Sequence, residues 1–536
     1  GRISILGRPS HRCWNAARGN GSLLKASLVY LVLLVNLMQP NKPDRPNRPD
    51  GPGLSSMASD SRSLFTVQTA PSARTIALSL LVESVKSEEG VDVLLDRALA
   101  RCSFDSRERA LAVELTYGVL RRLATIDWRL EPVLDKPLPR LPVAVQMALR
   151  LGTYQLLFLN RIPQSAAVNE SVNLARAFAG TVGRDWSGFV NAVLRALLRH
   201  PPQPWPSMDT DAAQALAVRY SVPGWLSHRW VERLGVVSAE AACEGVSVIP
   251  PLTLRVNRLI TTRAALLDTF AQVNIAAKPT SVSPFGIVLE EGGPVPSLPG
   301  FNEGAFYVED EAAQLIPPLL DPQPGDIVLD ACAAPGGKST HVADLMHNKG
   351  TIYAVDRKGA RLDLLRSNCR RLGVRIVVPI IGDIRQPREW TPMIETAGSL
   401  SMKNARVGEP STDRILVDAP CSGLGVLRRH PEAKWRKGEQ ALPRHQALQC
   451  QILEAVAPCL RPGGVLVYST CSTEPEENED VVQRFCLDHR EFKRESVAPW
   501  LPPAAQGFVT EQGALSTVGN QFSMDGFYAA RLRKVL

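Results

Sequence analysis

Between residues 73 and 198, apolar positions recur at three- and four-residue intervals. Ala77, Leu78, Leu80, Leu81 and Val82 make one such face, and Leu111, Ala112, Val113, Leu115, Val119 and Leu120 make another. That period predicts amphipathic helices, each burying one stripe. Residues 191–198 predict a further helix, while Pro132, Pro137, Pro139 and Pro142 punctuate the middle, where an interior proline would break a helix. The expected fold of this region is an all-α bundle. Pro201, Pro202, Pro204 and Pro206 then mark a linker. Beyond it the period changes. Residues 252–257 alternate as a strand does, 261–270 look helical and 282–289 predict a second strand, so a small α/β domain is expected. From Phe306 onward, apolar runs bounded by turn residues (326–330, 351–356, 375–381, 414–418 and 464–468) alternate at first with helix-length segments. That pattern predicts a parallel, doubly wound sheet. The chain is therefore expected to be multidomain: a tail over 1–68, an all-α bundle over 69–203, a small α/β domain over 210–304 and a Rossmann-like α/β domain over 305–536.

The formal net charge of +8 alters this picture little, because residues 1–60 carry eight Lys and Arg against three acids. The body is only weakly basic, which is compatible with RNA held by a local patch and equally with many other enzymes. Residues 28–38 form an apolar run too short to span a bilayer. Basic residues precede it, which leaves a presequence open; a Pro- and Asn-rich stretch follows, and Met57 is an alternative start. Ten cysteines occur without a CxxC pair and HExxH is absent, so no metal is expected. Scattered cysteines predict a reduced, cytoplasmic protein away from membranes.

In such sheets ligands bind beyond the carboxyl ends of the strands. The first run ends in Asp330-Ala331-Cys332-Ala333-Ala334-Pro335-Gly336-Gly337-Lys338, where adjacent glycines let backbone approach a ligand at a helix start. The second ends in Asp356, an acid suited to ribose hydroxyls, and the third in Gly382-Asp383 beside the same crevice. A phosphate-binding P-loop is the rival reading of Gly337-Lys338-Ser339, but it needs glycine where Cys332 stands.

The fourth run ends in Asp418-Ala419-Pro420-Cys421-Ser422-Gly423, and the fifth in Tyr468-Ser469-Thr470-Cys471-Ser472 ahead of the acidic stretch 474–479. If these strands are neighbours, both thiols reach one rim. The C5 carbon of cytosine is a poor nucleophile; a thiolate adding to C6 makes the ring an enamine whose C5 can accept a methyl group. A free thiol has a pKa of about 8.5, so such a site must favour thiolate. Cys332, Cys369, Cys450, Cys459 and Cys486 read as small core residues.

Residues 307–534 resemble the Sun-type RNA 5-methylcytosine methyltransferase family. The matching stretches are 308–315, 330–340, Asp356, Asp383, 418–423, 468–472 and 525–528. Residues 162–171 and 188–195 are similar to the NusB RNA-binding fold, a combination that resembles the bacterial 16S ribosomal RNA methyltransferase B subfamily. Arg255-Val256-Asn257 fits that subfamily's middle domain. Glu309 departs from an expected Gln, and 396–413 looks inserted.

The resemblance implies a class I methyltransferase domain using S-adenosyl-L-methionine, acting as a monomer on 16S ribosomal RNA and not on DNA. It implies Cys471 as the attacking thiolate, with Cys421 assisting product release. DNA cytosine-5 enzymes use the Pro-Cys turn as nucleophile, which makes Cys421 the runner-up. Asp418 is implied to bind the cytosine edge and Lys338 to lie near donor and base. Ala331, Cys332, Ala333, Ala334, Pro335, Gly336, Gly337, Lys338, Asp356, Arg357, Asp383 and Asp418 would line the cofactor crevice. The basic, Trp-containing stretch 428–436 is expected to touch RNA by phosphate contact and stacking. The same chemistry on transfer RNA, and a non-catalytic NusB-like assembly factor, stand as alternatives.

Overall fold

The computed structural model describes residues 71–87, 89–290, 294–390, 412–518 and 524–535. The tail with its apolar run and Met57, and residues 396–411 of the expected insertion, lie outside the described residues. Among the described residues no helix is long and apolar enough to cross a membrane.

The first region is the expected bundle, with its main helices at Ala73–Lys86, Val91–Leu99, Ser106–Arg121, Leu123–Leu130, Val143–Phe158, Gln164–Ala177 and Ser187–Arg199. Local chemistry sets their starts. Ser72 and Thr75 form a capping box, Asp105 accepts the Glu108 N–H at 2.8 Å, and Pro142 and Pro163 stand just before helices. Leu78, Leu81, Val113, Tyr117, Leu149 and Leu194 meet in one core. Two more helices, Ala212–Tyr220 and Gly224–Gly245, lead onward; the second is kinked at Gly235, whose φ of 74° is left-handed.

The small domain is a four-stranded antiparallel sheet of β1 (Leu252–Val256), β2 (Ala277–Pro279), β3 (Gly286–Leu289) and β4 (Phe306–Val308), ordered β2-β3-β1-β4, beside the helix Arg263–Gln272. β4 continues the sheet past the 304/305 boundary read from the sequence. The strand expected over 282–289 starts only at Gly286, because Ser283 is held in a turn: its N–H donates to Glu311 at 2.8 Å and its carbonyl accepts from Thr280. β1 alternates in polarity but is buried on both faces. Its polar side faces the next domain, where Arg255 donates to Glu309 (2.8 Å), the Gly337 carbonyl (2.6 Å) and Thr340 (2.9 Å). A carboxylate at 309, where the family pattern has an amide, thus neutralises a guanidinium that is 1% exposed.

The third region holds β5 (Ile327–Asp330), β6 (Thr351–Asp356), β7 (Val377–Ile381), β8 (Thr412–Asp418), β9 (Leu460–Thr470), β10 (Phe492–Glu495), β11 (Leu515–Ser516) and β12 (Tyr528–Lys534). Their order is β10-β12-β9-β8-β5-β6-β7, with β11 on β12. The strands β5 to β9 pair in parallel as expected, whereas β12 runs antiparallel between β9 and β10. Val328, Ile352, Leu416 and Val467 face one apolar layer and Leu329, Tyr353, Ile415 and Leu466 the other. That two-sided burial explains why these strands read as unbroken apolar runs.

The stretch 428–436 is not a free basic loop, which corrects the expectation of RNA contact. Arg428 is buried and Arg429 half-buried, both paired with the buried Asp310 and Asp525. Lys434 is 1% exposed and donates to the Ser221 carbonyl at 3.3 Å. Trp435 donates its indole N–H to the Leu120 carbonyl at 2.7 Å, and Arg436 reaches the carbonyls of Ser84 (3.0 Å) and Glu89 (2.7 Å). The stretch is a clasp that seats the large α/β domain on the helical bundle. Trp435→Ala should therefore cost ~2 kcal/mol of stability, below the usual range for a fully buried Trp. It should also speed proteolysis within residues 200–211. RNA affinity should stay within about twofold, since loss of a stacked base would cost ~1–3 kcal/mol. Filter binding and timed proteolysis read both, and a large affinity loss without faster cleavage would restore the RNA reading.

Candidate active site

The crevice residues expected from the sequence converge beyond the carboxyl ends of the parallel strands. The turn after β5 is sewn to both neighbours: Ala331 N–H donates to Leu416 O (2.9 Å) and Ala333 N–H to Val355 O (3.0 Å). The side chains of Ala331, Ala333 and Ala334 are buried, so they offer a ligand only backbone. Cys332 packs against an apolar layer, and burial pushes its thiol well up. Gly336, at φ 104°, reverses the chain into the helix Gly337–Leu345, whose first-turn N–H groups have no partner within the helix. Asp356 sits beside this turn. It accepts from the Ala334 N–H (3.3 Å), the Lys358 N–H (3.0 Å) and Arg361 (3.3 Å), a residue sequence reading passed over. Arg357 lies on the rim with its side chain 66% exposed, 3.6 Å from Asp383. Arg385 grips Asp383 with both ends of its guanidinium, and those hydrogen bonds hold the carboxyl below the usual range.

This donor set fits S-adenosylmethionine. N–H groups without a partner within the helix suit its carboxylate, and an acid at the second strand end suits its ribose diol. A Cβ on Gly337 would lie 2.9 Å from Glu309 Oε1 and 3.0 Å from the Tyr307 ring, so glycine there lets the helix start tight against the small sheet.

The thiol side is equally concentrated. Register places Asp418 opposite Ser469, so the two turns that follow begin level with each other. Asp418 accepts from Ser469 Oγ at 3.0 Å and from Lys338 Nζ at 2.6 Å. Lys338 also lies 5.1 Å from the centre of the Phe527 ring. Burial works against its ammonium, but Asp418 outweighs it, and the pKa is raised. The Sγ atoms of Cys421 and Cys471 are 3.2 Å apart, both as free thiols. The two thiols share a hydrogen bond in which either sulfur can donate; that bond pulls the Cys471 thiol below the ordinary cysteine value, with Lys338 and Lys437 adding to the pull. The same hydrogen bond, with burial, drives Cys421 well up.

Three contributors escaped the sequence reading. Lys437 donates to the Ser422 carbonyl within the Cys421 turn. Glu477, one of the acidic stretch 474–479, is fully buried and hydrogen-bonded to both turns. Gly425 passes so close to Gly526 that a Cβ on it would lie 1.9 Å from the Gly526 oxygen, and its N–H holds the Cys471 carbonyl at 2.9 Å. A glycine at 425 was visible in the sequence, but the segment it meets is a hundred residues away.

The asymmetry between the thiols is measurable. Only thiolate reacts with iodoacetamide, so alkylation rises as pH climbs through each pKa. Cys471 should reach half-maximal rate below the pH of an ordinary cysteine and Cys421 above it, as peptide mass spectrometry of the timed reaction would read. A reversed order would overturn the assignment of the low-pKa sulfur.

Residues 317–533 match the family described as 16S rRNA methyltransferase RsmB/F, 71–199 the NusB family, and 222–296 the ferredoxin-like domain of Methyltr_RsmF/B-like proteins. The probable ribosomal RNA small subunit methyltransferase B of Synechocystis is 36% identical over 464 residues, 86% of this chain and 99% of that protein. Its Bacillus subtilis namesake is 35% identical over 467 residues, with the same coverage of 86% and 99%. Among solved structures, the crystal structure of PH0851 superposes with a TM-score of 0.70 at 26% identity, covering 86% of this chain and 98% of that one. With three domains matched in order and relatives aligned along nearly their whole length, the chain belongs to the 16S rRNA methyltransferase RsmB/F family.

Proposed function

We propose that this protein methylates C5 of a cytosine in 16S ribosomal RNA, using Cys471 as a covalent nucleophile and S-adenosylmethionine as donor. The observation that carries the reading is the pair of thiols 3.2 Å apart beside the Lys338–Asp418 ion pair. Cys471 is the sulfur biased toward thiolate, and it attacks C6 of a cytosine splayed out of its stack. Asp418 binds the amino and N3 edge of the base and favours the N3-protonated ring that accepts the electron pair. S-adenosylmethionine would supply, when bound, an electrophilic methyl: as C5 bonds to that carbon its bond to the sulfonium sulfur breaks, and the electron pair stays on the sulfur of the departing S-adenosylhomocysteine. The C5 proton then leaves to a base, the S–C6 bond breaks with Cys421 assisting the release, and Cys471 recovers its electron pair. Asp356, Asp383 and the 331–338 turn hold the donor. The relatives' names support ribosomal RNA of the small subunit as substrate.

Cys471→Ala should abolish turnover, whereas Cys421→Ala should leave protein covalently attached to RNA, seen as a slow band on denaturing gels. The reverse pattern would exchange the two roles. Bisulfite sequencing of RNA from a deletion strain should show one unprotected cytosine in 16S ribosomal RNA. Its appearance in transfer RNA would redirect the substrate, and no change anywhere would favour a non-catalytic assembly factor.

A further inference from the structure

We propose that the buried carboxylate of Glu477 is the positioning residue that fixes the two thiols relative to each other, acting through Ser422 and Ser472. Each serine directly follows one of the cysteines. Glu477 Oε2 accepts both hydroxyls, which lie 3.1 Å from each other. Its Oε1 accepts the Ser422 N–H at 2.7 Å and the Gln449 amide at 3.2 Å. The same Gln449 amide donates to the Pro420 carbonyl at 3.0 Å, which ties down the residue before Cys421. On the other turn, the neighbouring Asn478 donates to the Ser472 carbonyl at 3.0 Å and accepts from Thr470 at 2.5 Å. The Glu477 carbonyl accepts the Tyr468 hydroxyl at 2.5 Å, fixing this knot to β9 itself.

Glu477 is 0% exposed, and among the described residues no ion pair reaches it. A buried carboxylate is costly unless donors surround it, so a residue held in this way needs a task that an apolar side chain could not perform. Packing alone would be served by Leu or Met. What the carboxylate adds is directionality: its two oxygens gather donors from two turns whose other side-chain links are the sulfurs, the Ser422–Ser472 hydroxyl pair and the Ser469–Asp418 bond. The strands fix the turns only up to Asp418 and Thr470; beyond them one backbone bond, from the Gly425 N–H to the Cys471 carbonyl, joins the turns. Glu477 adds the side-chain hold, gathering both turns through the serines next to the cysteines. The proposal deepens the thiol reading above and rests on it for its catalytic consequence, but not for its geometry.

The test uses the full-length protein without RNA or methyl donor, so it stands apart from the methylation result. Diamide drives disulfide formation between close thiols: both S–H bonds break, one S–S bond forms, and the reagent's N=N bond takes up the two hydrogens. Wild type should form the Cys421–Cys471 disulfide rapidly, read by mass spectrometry of the cross-linked peptide. Glu477→Gln keeps the shape but turns an acceptor into a donor, and Ser472→Ala removes one arm. Both should slow cross-linking by about ten- to hundredfold, since a misplacement on the order of 1 Å costs that much in proximity-controlled steps. In methylation assays both should lower kcat while leaving KM for S-adenosylmethionine unchanged. If Glu477→Gln fails to fold, Ser472→Ala carries the comparison. Variants that cross-link as fast as wild type, or a wild type that does not cross-link at all, would overturn the proposal. A slowed cross-link in a protein that methylates no cytosine would leave it standing and sink the function instead.

Discussion

Everything at the candidate site depends on the register of β8 against β9. With Asp418 level with Ser469, Cys421 follows three residues later on one strand and Cys471 two residues later on the other, and their sulfurs meet at 3.2 Å. A slip of one residue would turn every side chain of one strand to the opposite face, moving Leu466 and Val467 between layers and carrying the thiol away. The register is therefore held by the whole two-sided core. The parallel pairing of β5 with β8 and β6 then brings the donor turn to the same edge.

The domains are locked around this edge by buried charge. Arg255 reaches from the small sheet to Gly337, the first residue of the donor helix. Asn257 donates to the carbonyls of Gly304 (2.8 Å) and Leu372 (2.9 Å), tying that sheet to the helix Gly359–Arg371. Arg229 and Arg233, on the kinked helix, pair with Glu474 just after the Cys471 turn. Arg428 and Arg429 join Asp310 to Asp525, one residue ahead of the Gly526 that touches Gly425. Buried ion pairs contribute little net stability, but removing one partner costs several kcal/mol. Such pairs penalise misplacement more than they reward assembly, which suits a seam whose function is alignment.

This explains what the sequence could disclose. The helical stripes and the five apolar runs were legible because a core imposes its period on the residues that face it. The crevice residues were legible because they stand at strand ends, where topology alone brings Asp330, Asp356, Asp383 and Asp418 together. The antiparallel β12 was harder: Tyr528–Lys534 alternates Ala and Leu with Arg531 and Arg533, and Arg531 is 1% exposed, paired with Glu495. Arg428, Lys434 and Trp435 misled for the same reason. A cation in a short loop reads as solvated until its partner is known, and here the partners are Asp525, Ser221 and Leu120. Glu477 was hidden inside an acidic run for want of its partners, Ser422 and Gln449, on other elements.

The charges around Cys471 also limit one another. Asp418 disfavours a thiolate at Cys471, while Lys338 and Lys437 favour it. Lys338 bonds directly to Asp418, so its field is shared between carboxylate and sulfur. Without Asp418 the ammonium would stand buried and unpaired, and burial would press it toward its neutral form, removing the cation that the thiolate needs. Without Lys338 the carboxylate would oppose the thiolate directly. Lys437 directly follows the interdomain clasp, so the electrostatic setting of Cys471 draws on the seam as well as on the sheet. A thiolate at Cys471 beside the Asp418 carboxylate is favoured only because two cations from separate elements are held within reach. The low dielectric that strengthens their attraction is itself made by the packing that fixes the register.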